Sequence, residues 1–545
     1  MKLCANSIGQ RLGLRRRSSR CAAPGRAAIL LCSLAAALSG CSAPEPRFDV
    51  TEADIDALQT ALRAGTVSCE AIVDGYLARI AAYDKATGLN AITVTNPGAV
   101  ARAREIDARL ANGQPLGELF CVPVLVKDNF DTHDLPTTGG SIAMAGSLPP
   151  DDAFMVRRLR EADAIVLAKT NMAEWAFSAR QTRSSSYGVT ANAYALDRVP
   201  AGSSGGTASG VAASFGAAGL GSDTGNSIRG PSSHLALFGI RSTLGLTSRD
   251  GVIPLAWDRD VAGPMTRSVR DGARLFNVLA GFDPDDPMTR LGRNRKAADY
   301  TEFLDPEGLR GARIGVLRAL VDTEDADPRV TALFQQALED LAAAGAELTD
   351  PVIVPDLAAH LAADNFCPRF RYDLRRYLDS LGEAALIGDL MDAYDKGLYS
   401  DYVRDRILYF GRFPADLAPD RWDQPCPTYP AHPGRRAYLD AVLAAMDAAR
   451  VEVLVYPTWT NPPAHLNRPV EEYLGDNSQL VAPATGMPAA TVPMGFVDGT
   501  LPAGLQILAR PFDEPAIFRI AFAYEQRTRH RRPPPLFPPL PPDAP

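Results

Sequence analysis

The chain has 545 residues, of which 46% are hydrophobic and 22% charged, and its formal net charge is −8. The chain is acidic overall, and neither GxGxxG nor GxxxxGK[ST] occurs, which argues against nucleic-acid and nucleotide partners. HExxH, CxxC and close histidine pairs are also absent, so no metal is implied and no organic cofactor is expected.

In chain order, the first element is an export signal. Residues 1–26 carry Lys2, Arg11, Arg15, Arg16, Arg17, Arg20 and Arg26 with no acid, and Ala27–Leu38 is an apolar run. The run is shorter than the roughly 20 residues a spanning helix needs. It ends in Leu38-Ser39-Gly40-Cys41, a pattern that resembles a bacterial lipobox with Cys41 as the lipidated new N-terminus. Ser42 follows, which by the bacterial sorting pattern places the protein on the periplasmic side of the outer membrane; an ordinary cleaved signal with a chance cysteine is the alternative. Removing residues 1–40 takes away seven positive charges and no negative ones, moving the net charge from −8 to −15. An acidic surface gains nothing from anionic head groups, so acyl chains would do the anchoring. Four cysteines remain besides Cys41, and Cys367 with Cys426 is the preferred pair, with reduced thiols as the alternative.

After a tether at 41–50, helices are expected at 52–64 (Thr51 as N-cap), 69–82, 98–111, 152–162, 328–344 and 514–527. Strands are expected at 122–126, 164–168, 312–317, 452–456, 489–494 and 504–508. The alanine-rich stretch Gly206 to Leu220 reads as a buried helix. This alternation predicts an α/β fold, a single large domain over 51–530 with a mixed twisted sheet covered by helices. Residues 355–450, rich in aromatics and arginine, read as a helical insertion that either shapes a substrate pocket or merely covers the core. The tail from Arg531, RRPPPLFPPLPPDAP, reads as an extended, polyproline-like end, unbound in the preferred reading and partner-binding in the alternative.

The chemistry centres on Ala201 to Pro231, where Ser203 and Ser227 sit in separate glycine-rich turns. Glycine lets backbone N–H groups approach a bound oxyanion closely. A hydroxyl nucleophile at neutral pH needs a base. The apolar run Val122 to Val126 delivers Lys127 to the end of a buried strand, where lost hydration favours the neutral amine. GSSGG also fits a GxSxG nucleophile elbow with Ser204 as nucleophile, but the preceding NAYALDRVP is loop-like, and none of the late histidines His432, His465 and His530 has a recognisable setting.

Several ordered motifs carry a resemblance: VPVLVKDNF, AKTNMAEWAF, the two glycine-rich turns, GLTSRDGVIPLAWDRDVAGPMTRSVRD, ATGMPAATVPMGF and GLQILARPFDE. Together they resemble the amidase signature enzymes. The resemblance implies that Ser227 is acylated by an amide substrate, that Ser203, preceded by a cis peptide bond, shuttles the proton, and that Lys127 is the base. It implies an oxyanion hole of the backbone N–H groups of Thr224, Gly225, Asn226 and Ser227. Ser204, Asp223 and Arg229 are supporting residues: Asp223 reads either as a cap of the turn or as a triad acid, and Arg229 either as a brace paired with a buried carboxylate, the preferred reading, or as a site for an anionic substrate group. The chain departs from the family pattern at Asn226, where glycine is usual, at Gly230 to His234, and at Arg241-Ser242-Thr243 in place of Lys-Pro-Thr. An esterase or acyl transferase with the same triad, or a silent binding lipoprotein on the same fold, are the alternatives. Oligomeric state is left open.

Overall fold

The computed structural model describes residues 48–541 except 364; Cys41, the leader and the last four residues lie outside the described residues. Thirteen strands follow in chain order: β1 Ile92–Thr95, β2 Pro123–Lys127, β3 Ile165–Thr170, β4 Arg183–Ser184, β5 Gly188–Val189, β6 Ala218–Asp223, β7 Phe238–Arg241, β8 Val261–Thr266, β9 Arg313–Val316, β10 Glu347–Thr349, β11 Val453–Pro457, β12 Ala489–Val497 and β13 Leu501–Ala509. Strands β4 and β5 form a separate ribbon, and the other eleven form one sheet in the order β1-β3-β2-β6-β8-β7-β12-β13-β11-β9-β10.

The sheet is mixed. β2 runs parallel to both β3 and β6, and β9 parallel to β10 and β11, while β6/β8, β7/β8, β12/β7 and β12/β13 are antiparallel. Every residue of β2, β3, β6, β8 and β13 is buried, so the sheet is covered on both faces there. The C-terminal β12 and β13 lie mid-sheet, so one sheet draws strands from both ends of the chain.

Local chemistry moves several boundaries. The first helix is Ile55–Arg63, not 52–64: Asp54 caps it by accepting from Ala57 N at 2.7 Å. The hydroxyl of Thr51, the expected cap, instead accepts from Arg79. The second helix runs to Thr87, past the expected end at 82, and stops at Gly88 with φ 80°. The expected helix from Gly206 to Leu220 is half wrong: the helix spans Gly205–Ala212, and Ala218–Asp223 is β6.

The tail is also corrected, since it is docked through Pro538. Phe537 is buried against Phe215 and Tyr83, and the buried Arg79 donates to the carbonyls of Phe537 and Pro538, both at 2.8 Å. Arg531 pairs with Glu52. Among the described residues two disulfides are formed, the expected Cys367–Cys426 and also Cys69–Cys121. Within the 355–450 insertion, Phe370, Leu374, Leu390 and Ile407 make a hydrophobic cluster with Trp175 and Ile253. The helix Pro433–Ala449 instead packs Tyr438, Val442 and Met446 into the main core.

Candidate active site

Strands β2 and β6 are parallel and end side by side, β2 delivering Lys127 and β6 delivering Ser222 and Asp223. Carboxyl ends of parallel strands are where ligands bind in open α/β sheets. Lys127 is fully buried, its Nζ 2.7 Å from Ser203 Oγ, 2.8 Å from Ser222 Oγ and 3.4 Å from the Ser222 carbonyl. Burial pushes its pKa down to about 7, against the pull of Asp223 and Asp260. Two of its neighbours are hydroxyls, which can donate to a neutral amine as readily as accept from a charged one. Asn129 donates to Ser222 Oγ at 3.0 Å, leaving the Ser222 proton free to point at Lys127.

Ser203 follows a cis Gly202–Ser203 peptide bond. Gly202 is required by crowding, because a Cβ there would lie 2.4 Å from the Gln181 carbonyl and 2.5 Å from that of Ser178. The chain turns again after β6. Among the described residues, the backbone N–H groups of Thr224, Gly225, Asn226 and Ser227 donate to no backbone or side-chain acceptor. Two buried arginines aim them. Arg241 Nη1 binds the Asp223 carbonyl and Arg229 Nη2 holds the Gly225 carbonyl at 2.7 Å. In a trans peptide the N–H points opposite the carbonyl, so pulling back these two carbonyls turns the N–H groups of Thr224 and Asn226 forward.

Asp223 accepts from Ile228 N at 3.2 Å and pairs with both Arg229 and Arg241. Burial pushes its carboxyl up, but the two guanidiniums outweigh this and hold it below its ordinary value. Asp223 and Arg229 therefore brace the turn. The Ser227 hydroxyl does not reach Ser203; it donates to Asn226 Oδ1 at 3.4 Å. Asn226 in turn donates to the Ala179 carbonyl at 3.3 Å. Ser204, the rival nucleophile, is fully buried and donates to the Ser222 carbonyl at 3.2 Å. His465 pairs with Glu472 and His530 lies by Asp340, so neither serves Ser204.

The Amidase family profile matches residues 71–518. A glutamyl-tRNA(Gln) amidotransferase subunit of Symbiobacterium thermophilum is 37% identical over 486 residues, covering 86% of this chain and 95% of that protein. Native peptide amidase from Stenotrophomonas maltophilia superposes with a TM-score of 0.79 at 35% identity, covering 89% of this chain and 98% of that one. An amidase family protein from Bacillus anthracis gives a TM-score of 0.77 at 29% identity, covering 89% of this chain and 92% of that one. The chain belongs to the amidase family.

This family member opens its turn onto a cavity of about 430 Å³ bounded by Thr224 to Ser227. Phe366, Arg406 and Phe410 of the insertion line it, so the insertion shapes the pocket as well as covering the core. Sequence reasoning missed Ser222, Asn129, Arg180, Arg259, Tyr473 and Gln479. Ser222 had a signal, being next to Asp223 at the end of a strand parallel to that of Lys127. Residues brought in by distant loops, such as Tyr473 and Gln479, had none.

Proposed function

We propose that the protein hydrolyses a carboxylic amide C–N bond through an ester formed on Ser227. Neutral Lys127 takes the Ser203 proton while Ser203 takes the Ser227 proton, after the Ser227 hydroxyl has rotated away from Asn226. Ser227 Oγ adds to the carbonyl carbon, and the oxyanion settles among the N–H groups of Thr224, Gly225, Asn226 and Ser227. The proton returns through Ser203 to the amine as the C–N bond breaks, and water repeats the sequence on the ester. The observation that carries this reading is the convergence of a buried lysine with its pKa near 7 on Ser203, beside a turn of four undonated N–H groups around Ser227. Hydrolysis of a panel of aryl and primary amides tests it: turnover is expected, with a loss of at least about 100-fold in Ser227→Ala. Full turnover by Ser227→Ala would refute it.

The same proposal places the enzyme outside the cytoplasm, tethered through Cys41 to the outer membrane. Two disulfides in the described chain support an oxidising compartment. Metabolic labelling with a fatty-acid analogue should mark the wild type in the membrane fraction and leave Cys41→Ser unmarked. Equal labelling of both, or of neither, would remove the anchor from the account.

A further inference from the structure

Three arginines, Arg180, Arg259 and Arg406, line the cavity that holds Ser227, and among the described residues no carboxylate does. Buried arginines elsewhere in this molecule are well partnered. The side chains of Arg79, Arg229, Arg241, Arg249 and Arg435 each make at least three hydrogen bonds. Arg259 is the contrast. Among the described residues its side chain makes no hydrogen bond or ion pair, its Nε is buried, and its guanidinium lies 5.6 Å from the centre of the Phe366 ring. Arg180 stands over the Tyr473 ring at 5.6 Å, with no carboxylate in pairing range among the described residues.

Among the described residues, the acids near Arg259 are committed elsewhere. Asp258 is taken by Arg435 at 3.1 Å. Asp260 accepts from the Thr224 hydroxyl and from the backbone of Leu255 at 2.8 Å and Ala256 at 3.0 Å. Asp223 is shared by Arg229 and Arg241. Burial, with Arg435 and Arg241 close by, lowers the Arg259 pKa to about 9, so it remains a cation at neutral pH. An unpaired, desolvated guanidinium is costly, and an anion entering the cavity relieves that cost while meeting a planar donor fork suited to a carboxylate.

We infer that the amide hydrolysed here carries a carboxylate, which Arg259 and Arg180 hold inside the cavity. This rests on the amidase reading of the same site. Two matched pairs of anilides test it by kcat/KM: glutaryl against hexanoyl p-nitroanilide, with charge on the acyl part, and hexanoyl 4-aminobenzoate against hexanoyl p-toluidide, with charge on the amine part. The anionic member should be preferred at least about tenfold in one pair, and that ratio should fall at least about fivefold in Arg259→Met and, independently, in Arg180→Met. Turnover of the neutral anilides with no preference in either pair would sink the inference and leave the amidase reading standing. So would a preference that survives both substitutions.

A readout independent of turnover is protection of Ser227 from a fluorophosphonate. The anionic ligand matching the preferred pair should protect at roughly tenfold lower concentration than its neutral counterpart: glutaramate against pentanamide for an acyl-side carboxylate, 4-aminobenzoate against p-toluidine for an amine-side one. Equal protection by the two ligands so matched, or none by either, overturns the inference. The labelling rate of each variant without ligand shows that its site is assembled.

Discussion

Lys127 and Lys169 sit on neighbouring parallel strands, both fully buried, yet their partners separate their roles. Lys169 donates to the carbonyls of Phe130 at 2.7 Å and Pro136 at 3.1 Å and to two threonine hydroxyls, and lies 3.9 Å from Asp128. Burial lowers the Lys169 pKa to about 8 against the pull of Asp128 and Asp131, and with carbonyls that can only accept the amine stays protonated at neutral pH. Lys127 faces hydroxyls at its two short contacts and can work as a base once it is neutral. Its protonated form cannot accept, and burial places its pKa at about 7. The activity should therefore be low under acid conditions, rise through pH 7 and level off above it, because the neutral form accumulates as pH increases. A profile of kcat/KM against pH checks the sign. A rate that falls as pH rises through 7 would contradict Lys127 as the base. Lys127 was legible in the sequence because an apolar run ends on it. Arg259 was not, since only the fold shows that Asp258 and Asp260, its neighbours in the chain, are taken by Arg435 and Thr224.

At the level of elements, β6 was the hardest to read. Ala218–Asp223 carries no β-branched residue, and its alanine and two glycines look like the continuation of the helix before it. Packing explains the composition: a Cβ on Gly219 would meet Thr207 at 2.4 Å, so the helix Gly205–Ala212 lies too close to β6 for side chains. The most strongly apolar strands, such as β2, β3 and β11, were legible, because long buried side chains advertise themselves. The tail misled for a related reason. Its prolines read as an extended end, but the docking depends on Arg79, whose position nothing in the tail announces. Phe537→Ala should cost about 3 kcal/mol of stability, as truncation of a buried aromatic does, and chemical denaturation would measure it. An unchanged midpoint would mean that the tail contributes nothing to the fold.

Over the whole molecule, the sheet brings together segments that are far apart in sequence. Lys127 comes from β2, Ser222 from β6, and Arg229 is held through Gln506 of β13 at 2.9 Å. The insertion contributes Phe366, Arg406 and Phe410 to the cavity. The α/β class was readable from alternating periodicities, and the site from motifs spread along the chain. The pocket walls were not, because they depend on contacts between loops with no shared pattern.

In the proposed reaction Ser227 is the nucleophile, driven by Lys127 through Ser203. Intact mass after exposure to a fluorophosphonate tests it most directly, comparing wild type with Ser227→Ala, Ser203→Ala and Lys127→Ala. A single adduct is expected on the wild type and none on Ser227→Ala, with labelling slowed by at least about 100-fold in the other two. An adduct retained by Ser227→Ala, carried on Ser204 or elsewhere, would contradict it, as would labelling of Lys127→Ala at the wild-type rate.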